Sequence, residues 1–172
     1  MRARALISAV SLLACLILAI LSSGGLDIAI TITSSAFTEG MMIPKKHTCD
    51  AEDISPDLKW SGVPKEAKSL ALICDDPDAP VGTWVHWVLF NIPAGVPLDA
   101  ALKNGARHGK NDFRKLGYGG PCPPGGTHRY FFKIYALDTL LTLESGSTKA
   151  QLVAAMKGHI LAEGQLMGKY KR

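Results

Sequence analysis

Two histidines are the side chains of this sequence best suited to bind a small molecule. His86 and His128 each lie near the start of an apolar segment, and each segment follows a loop rich in proline, glycine or aspartate. Imidazole N–H groups and the Tyr130 hydroxyl can donate hydrogen bonds to the oxygens of an anion. A few convergent polar groups above an apolar floor are typical of small-ligand sites. We therefore expect residues 75–91 and 117–130 to line one small, anion-accepting pocket.

The apolar segments that carry the histidines have the two-residue period of β-strands. Side chains at alternate positions of a strand share a face of the sheet. In residues 83–92 this alternation predicts one shared face for Trp84, His86, Val88 and Phe90. In residues 128–137 it predicts a shared face for His128, Tyr130, Phe132 and Ile134. Further strands are predicted at 28–34, 69–74 and 164–170.

One helix is predicted late in the chain, at residues 148–161. Thr148 is a suitable N-cap, and Leu152, Met156 and Ile160 recur at helical spacing. Residues 94–116 show no regular period. Because long loops rather than helices separate the predicted strands, the pattern favours a mainly β fold, a β-sandwich of two antiparallel sheets with a C-terminal helix.

The composition predicts one globular domain that does not bind nucleic acid. The chain has 172 residues, of which 47% are hydrophobic and 20% are charged, so it can fill a core of ordinary size. The formal net charge is +4, and the lysines and arginines are scattered apart from a small cluster at the C-terminus. A nucleic-acid-binding protein normally carries a basic stripe or a recognisable motif.

The N-terminal 25 residues have the order of a secretory signal. Residues 1–4 are basic, residues 5–21 are apolar apart from two serines, and residues 22–25 are small. An uncleaved membrane anchor is the alternative, since seventeen residues stand at the short end of the range of about 17–25 that spans a bilayer. Lipidation at Cys15 is less favoured, because the apolar run continues beyond it. We expect an exported protein whose domain begins at residue 26.

Export changes how the remaining cysteines are interpreted. Cys74 ends an apolar strand and is expected to be a buried thiol. Cys49 and Cys122 lie in turn-rich segments, and an oxidising compartment would allow them to form a disulfide. The alternative is a metal site of His47, Cys49 and Cys122, which neither a CxxC nor an HExxH spacing supports. We expect neither a metal nor a cofactor.

Three runs of sequence closely resemble the phosphatidylethanolamine-binding protein family, and in particular its bacterial and archaeal branch, the Raf kinase inhibitor-like proteins. The runs are residues 76–80 (DPDAP), 86–93 (HWVLFNIP) and 117–130 (GYGGPCPPGGTHRY). Shorter matches lie at 60–64 and 111–113. The resemblance covers roughly residues 28–170, which is nearly all of the predicted domain, residues 26–172.

The resemblance implies two packed antiparallel sheets with a C-terminal helical element. It also implies a shallow pocket that accepts phosphate-like and acetate-like anions. Carried over by motif, the pocket residues are Asp76, Trp84, His86, Pro123, Pro124, His128 and Tyr130. A bare carboxylate repels an anion, so our hypothesis is that Asp76 orients an imidazole or meets a cationic part of the ligand, such as an ethanolamine ammonium.

The function expected from these residues is non-enzymatic binding of a phosphate-like or phospholipid-headgroup-like ligand outside the cytoplasm. The alternative is a protein-interaction module such as a serine protease inhibitor, an activity reported within the family. An exported protein would not meet the cytoplasmic kinases that the family is known to regulate. Catalysis by a Cys122 thiolate with His128 or His86 as the base is a third reading. Prolines flank this cysteine, and a disulfide would remove the thiol.

Overall fold

The structure is a computed structural model that describes residues 30–172. The predicted signal or anchor, residues 1–25, lies outside the described residues, as does the start of the strand predicted at 28–34. Within residues 30–172, seven strands and two α-helices follow in chain order. They are β1 (Thr31–Ser34), β2 (Leu58–Ser61), β3 (Ser69–Asp76), β4 (Trp84–Pro93), α1 (Leu98–Lys103), β5 (Arg107–His108), β6 (Thr127–Leu137), α2 (Lys149–Met156) and β7 (Ile160–Lys171).

The strands form two antiparallel sheets, which confirms the predicted fold class. The larger sheet has five strands in the order β5-β4-β3-β6-β7, and β1 pairs with β2 in the smaller one. Strand β3 lies at the centre of the larger sheet, and all eight of its residues are buried. A strand covered on both faces reads as a continuous apolar run, as residues 70–74 do.

Each face of the larger sheet has its own hydrophobic cluster. The face covered by the smaller sheet packs Leu72, Trp87 and Phe132 against Ile32 of β1 and Leu58 of β2. The opposite face is covered by α2, and its cluster is Ala71, Ile73, Val85, Val88, Phe90, Leu137, Leu141, Leu152 and Met156. Consecutive residues of β3 thus contribute to different clusters. We call the face covered by the smaller sheet the sandwich face, and the face covered by α2 the helix face.

A β-bulge in β4 overturns one prediction about the histidine strand. Cys74 pairs with Trp87, but Asp75 pairs with Val85, so His86 is an extra residue opposite β3. A bulge of this kind resets the alternation of side chains. Val88 and Phe90 therefore lie on the helix face, whereas the His86 ring contacts Tyr130 of the sandwich face. The prediction that Trp84, His86, Val88 and Phe90 share one face is wrong for Val88 and Phe90.

The helical segments also differ from the predictions. Thr148 does cap α2, in a capping box with Gln151, but the helix ends at Met156 rather than at residue 161. Gly158 has a φ of 82°, and Ile160 already belongs to β7. The segment 94–116, predicted to be irregular, contains α1 and β5. In the part of the chain that the structure describes, the helices are too short to cross a bilayer.

Candidate functional site

Asp76 and His128 form a buried pair at one end of the larger sheet. Asp76 is the last residue of β3, His128 is the second residue of β6, and their side chains lie on the sandwich face. The Nδ1 atom of His128 lies 2.7 Å from Oδ2 of Asp76 and donates a hydrogen bond to it. The other carboxylate oxygen accepts a hydrogen bond of 2.8 Å from the backbone N–H of Asp78. Asp76 thus fixes the orientation of the His128 ring.

His86 is fixed by a backbone carbonyl instead of a carboxylate. Its Nδ1 atom lies 2.7 Å from the carbonyl oxygen of Gly119, which can only accept, so Nδ1 carries the proton. The side chain is buried, and burial lowers the pKa of His86 below 6.5. The Gly119 hydrogen bond and the carboxylates of Asp76 and Asp112 oppose this shift without outweighing it.

The second ring nitrogens of the two histidines are free to meet a ligand. Within residues 30–172, Nε2 of His86 and Nε2 of His128 form no hydrogen bond. Some buried polar atoms of this structure are fully enclosed and have no hydrogen-bond partner, but these two Nε2 atoms are not among them. Both atoms therefore keep some contact with solvent at the same sheet end, although the two residues are only 2% and 7% exposed.

Aromatic side chains form the floor and one wall of the site. The Tyr130 ring meets His86 edge to face at 5.1 Å, and Phe113 meets both His86 at 5.3 Å and Trp84 at 5.5 Å. The Tyr130 hydroxyl and Trp84 Nε1 are shut off from solvent and form no well-aligned hydrogen bond among the described residues. The Asp76 carboxylate and the Cys122 backbone lie near the Tyr130 hydroxyl. Burial, followed by the Asp76 carboxylate, raises the pKa of Tyr130, so the phenol stays protonated. Tyr130 is thus a neutral donor beneath the histidines.

The glycine-rich loop approaches the rest of the molecule closely enough to exclude side chains. A Cβ on Gly119 would lie 2.7 Å from Phe113, and a Cβ on Gly120 would lie 2.4 Å from the carbonyl oxygen of His47. The N–H of Gly120 donates a 2.6 Å hydrogen bond to Asp53. This close packing sets the position of the Gly119 carbonyl, and through it the orientation of His86.

Cys49 and Cys122 form a disulfide that ties the same loop to residues 45–53. Cys74 is a free, buried thiol whose pKa is raised by desolvation and by the neighbouring carboxylates. His47, the third residue of the alternative metal site, uses Nδ1 to bond the Ile54 carbonyl. Across residues 30–172, no cluster of three or more histidine, cysteine, aspartate or glutamate side chains is arranged to hold a metal ion.

The predicted proline rim divides into a buried and an exposed residue. Pro123 is buried and Pro124 is exposed, at the end of the loop that leads into β6. On the other side of His128, Arg129 forms a two-pronged ion pair with Asp78, at 2.6 and 2.9 Å. The Arg129 hydrogen bonds lower the pKa of Asp78 to about 2. This ion pair fastens the loop after β3 to the start of β6.

Three residues that position the site were not predicted as part of it. Phe113 packs on His86, Asp53 holds Gly120, and Asn111 donates to the carbonyl oxygen of Gly117 at 3.1 Å. The motif at residues 111–113 was a signal for two of them. The aspartate lies far from the histidines in sequence, in a turn where its φ is 56°, and no local pattern connects it to the site.

Asp75, at the edge of the predicted pocket segment, does not belong to the site. Its side chain lies on the helix face, where it accepts hydrogen bonds from Lys133 and Lys149. Two open concavities of the described surface also lie elsewhere. One follows the start of β7 and the other is lined by β2 and residues 95–97, and neither has a histidine in its lining.

A two-sheet antiparallel sandwich with a buried cluster of histidine, aspartate and tyrosine at one sheet end is the architecture that the three sequence runs imply. Residues 33–171 match the family model described as phosphatidylethanolamine-binding protein. The chain belongs to this family, which confirms the resemblance found in the sequence.

Relatives and solved structures agree with this assignment. The chain is 54% identical over 148 residues to a UPF0098 protein of Methanothermobacter thermautotrophicus, covering 82% of this chain and 98% of that one. It is similar to the crystal structure of a phosphatidylethanolamine-binding protein homolog from Chlamydia trachomatis, with a TM-score of 0.79, 46% identity, and coverage of 84% and 99%. E. coli YbcL, described as a member of the mammalian family, superposes with a TM-score of 0.76 at 34% identity, covering 83% and 98%.

Proposed function

We propose that this protein is a non-enzymatic, exported binding protein for a small phosphate-like or phospholipid-headgroup-like anion. One observation carries the proposal. His86 and His128 are each held through Nδ1, by Gly119 and by Asp76. Both Nε2 atoms lack a hydrogen bond among the described residues and are not among the polar atoms fully enclosed by the protein. Two fixed polar atoms over an aromatic floor suit one small, polar ligand.

The electrostatics of the cluster are compatible with an anion. When His128 takes up a second proton it has Asp76 as an adjacent counter-charge, so the pair is neutral and its Nε2–H can donate to a ligand oxygen. The enclosed Tyr130 hydroxyl has no partner of its own in the described part of the chain. In the proposed complex, a small movement of the ligand or of the Tyr130 ring would give this hydroxyl a hydrogen-bond partner. That contact would remove the free-energy cost of an unsatisfied buried donor.

Export is supported by the N-terminal sequence and by the cysteines. A basic, apolar and small order of residues is typical of a secretory signal. The disulfide between Cys49 and Cys122 suits an oxidising compartment. The same bond argues for a non-enzymatic role, because it leaves Cys122 without the thiol that a nucleophile would need.

Calorimetric titration of the purified protein with phosphate, phosphoethanolamine and acetate tests this function. His86→Ala and His128→Ala should each weaken phosphate binding at least about tenfold, since each removes a polar partner of the ligand. His159→Ala is the matched control, because that histidine is exposed and pairs with Asp138 at the other end of the sheet. Absence of binding by any of the three ligands would contradict the proposal.

Serine protease inhibition is a second candidate, favoured by the loop between β3 and β4. Val81 in this loop is 80% exposed, and the loop is braced where Arg129 pairs with Asp78. Inhibitors that bind proteases tightly present a pre-organised surface that changes little on binding. Inhibition assays against a panel of serine proteases, repeated with Val81→Asp, test it. Inhibition that survives this substitution would exclude the loop as the contact.

A further inference from the structure

The two histidines of the site differ in the charge of the group that holds them. His128 donates its Nδ1 proton to the Asp76 carboxylate, whereas His86 donates its Nδ1 proton to the neutral carbonyl of Gly119. With Nδ1 already protonated, a neutral imidazole presents a lone pair at Nε2 and can only accept a hydrogen bond there. Both rings are held through Nδ1, but the group that holds each ring decides whether its Nε2 can donate a hydrogen bond to a ligand or only accept one.

His128 can act as a donor to an anion because an ion pair with Asp76 compensates its second proton. Among residues 30–172, His86 has no such counter-charge in hydrogen-bond contact. Its ring lies against Phe113 and Tyr130, and burial disfavours the imidazolium. At neutral pH its Nε2 is thus an acceptor, and an anion oxygen that carries no hydrogen would face its lone pair.

We propose that the site selects an anion that brings its own acidic hydrogen, so that His128 donates to the ligand while His86 accepts from it. The ligand class is phosphate or a phosphomonoester, whose P–OH group can donate to Nε2 of His86. Phosphodiesters, the form in which most phospholipid headgroups occur, have no such hydrogen. This inference rests on the proposed function and narrows its ligand.

The charged groups around His86 come from three elements. Asp76 on β3 and Asp112 in the 111–115 turn are the carboxylates that favour its protonated form, and Asp112 is itself engaged by the N–H of Val85 at 2.7 Å. From β6, Tyr130 faces the ring as a neutral phenol, and His128 is engaged with Asp76. None of these contacts gives His86 a direct carboxylate partner within the described chain.

Three small anions distinguish the effect of a hydrogen on the ligand from the effect of the ligand's net charge. Methyl phosphate is a monoester with a second pKa of about 6, so at about pH 7 it exists as both the monoanion and the dianion. Dimethyl phosphate is a monoanion and sulfate a dianion, and neither carries a hydrogen. At this pH only about one-tenth of methyl phosphate is the monoanion. Calorimetry with the full-length protein at about pH 7, referred to the concentration of that monoanion, should give it an affinity at least about tenfold above both, since an unmatched polar contact costs about 1–3 kcal/mol.

Acidification provides a test that needs no variant. As His86 takes up a proton, its Nε2 becomes a donor, so binding of dimethyl phosphate and sulfate should strengthen. The preference for the methyl phosphate monoanion, referred to the concentration of that form at each pH, should shrink. His86→Gln provides the matching variant, because the glutamine amide can turn its N–H₂ group toward the ligand at any pH. In that variant the preference for methyl phosphate should be lost at about pH 7.

The outcomes are distinct for this inference and for the function on which it rests. Equal, pH-independent affinity for methyl phosphate and sulfate would overturn the selection but leave anion binding intact. No binding by any anion would overturn both. Short-chain phosphatidic acid and inorganic phosphate, titrated in parallel, distinguish a lipid monoester from a free one, and a preference for short-chain phosphatidylethanolamine over both would also overturn the selection.

Discussion

Asp75 and Asp76 are neighbours at the end of β3, yet they lie on opposite faces of the larger sheet and have different partners. Asp75 lies on the helix face between the ammonium groups of Lys133 and Lys149. Asp76 lies on the sandwich face, and His128 is its one ion-pair partner among the described residues. Both carboxylates are buried. Two lysine ammonium groups face the single carboxylate of Asp75. Asp76 faces one imidazole, which is a counter-charge only when it is protonated.

This difference separates a structural ion cluster from a candidate binding site. The two lysines join α2 and β6 to the centre of the sheet. On the sandwich face, a histidine with an open nitrogen and a tyrosine without a partner in residues 30–172 leave polar capacity unused. Buried polar groups without partners are rare in native structures, and such groups are associated with functional sites.

Among the substitutions that test this difference between Asp75 and Asp76, Asp75→Asn is expected to change stability most. Removing a buried carboxylate leaves two lysines without their counter-charge, which costs about 3–5 kcal/mol for fully buried pairs. The lysine side chains are 32% and 29% exposed and can turn toward water, so we expect a loss of about 2 kcal/mol in the free energy of unfolding. Urea denaturation measures this loss, and phosphate affinity should not change.

Asp138→Asn is the matched control for Asp75→Asn. Asp138 is 46% exposed and pairs with an exposed His159, so its neutralisation should cost less than about 0.5 kcal/mol. Equal losses for the two variants would show that Asp75 is not a structural charge.

A smaller stability loss, of about 1 kcal/mol, is expected from Asp76→Asn, together with a change in ligand affinity. The carboxylate accepts from two donors, His128 Nδ1 and the Asp78 N–H, but an asparagine offers only one acceptor. The His128 tautomer can relieve this conflict by moving its proton to Nε2, which faces the ligand. The variant thus provides the Nε2 donor without a second proton on the ring, and it removes a negative charge beside the anion. Methyl phosphate should therefore bind several-fold more tightly, as calorimetry can measure.

Phosphoethanolamine in the same titration tests the role of the carboxylate. If Asp76 meets the ammonium of a ligand, the Asp76→Asn substitution should weaken phosphoethanolamine relative to methyl phosphate. Equal tightening of both ligands would leave Asp76 only the role of orienting His128.

The smallest effect is a pH dependence of stability caused by His86. Its pKa is lowered from 6.5 in the folded protein, so below about pH 6.5 the unfolded chain binds a proton that the folded chain does not. Stability should therefore be complete above this pH and fall as the pH decreases toward the folded pKa. Urea titrations between about pH 5 and 7 should show a shallower fall in His86→Gln than in wild type.

His108 limits how much the His86→Gln substitution can flatten the pH dependence of stability. Burial also lowers the pKa of His108, so this residue makes the folded protein less stable at low pH in the variant as well. His159→Gln, on the exposed surface, should leave the slope as it is in wild type. An unchanged slope in His86→Gln would mean that this imidazole is not kept neutral by the fold.

The strands that carry the site could be predicted from the sequence, but their exact geometry could not. The apolar runs in β3, β4 and β6 and the Thr148 cap lie where local patterns predict them. Local periodicity failed at His86, because a bulge is set by pairing with another strand. It failed again in α2, where periodic spacing ran on past Gly158 into the start of β7. The helix α1 has six residues and too few turns to produce a clear period.

The sequence by itself determined the family, the two antiparallel sheets, and the set of residues from which a site could be built. Only the tertiary structure decided how those residues are used. The Gly119 carbonyl holds His86 as an acceptor, Asp76 holds His128 as a potential donor, and Asp75 is turned toward the lysines. Each of these contacts joins residues distant in sequence and depends on strand register. Residue types alone therefore predict an anion site, whereas the contacts of the folded chain assign a direction to each hydrogen bond.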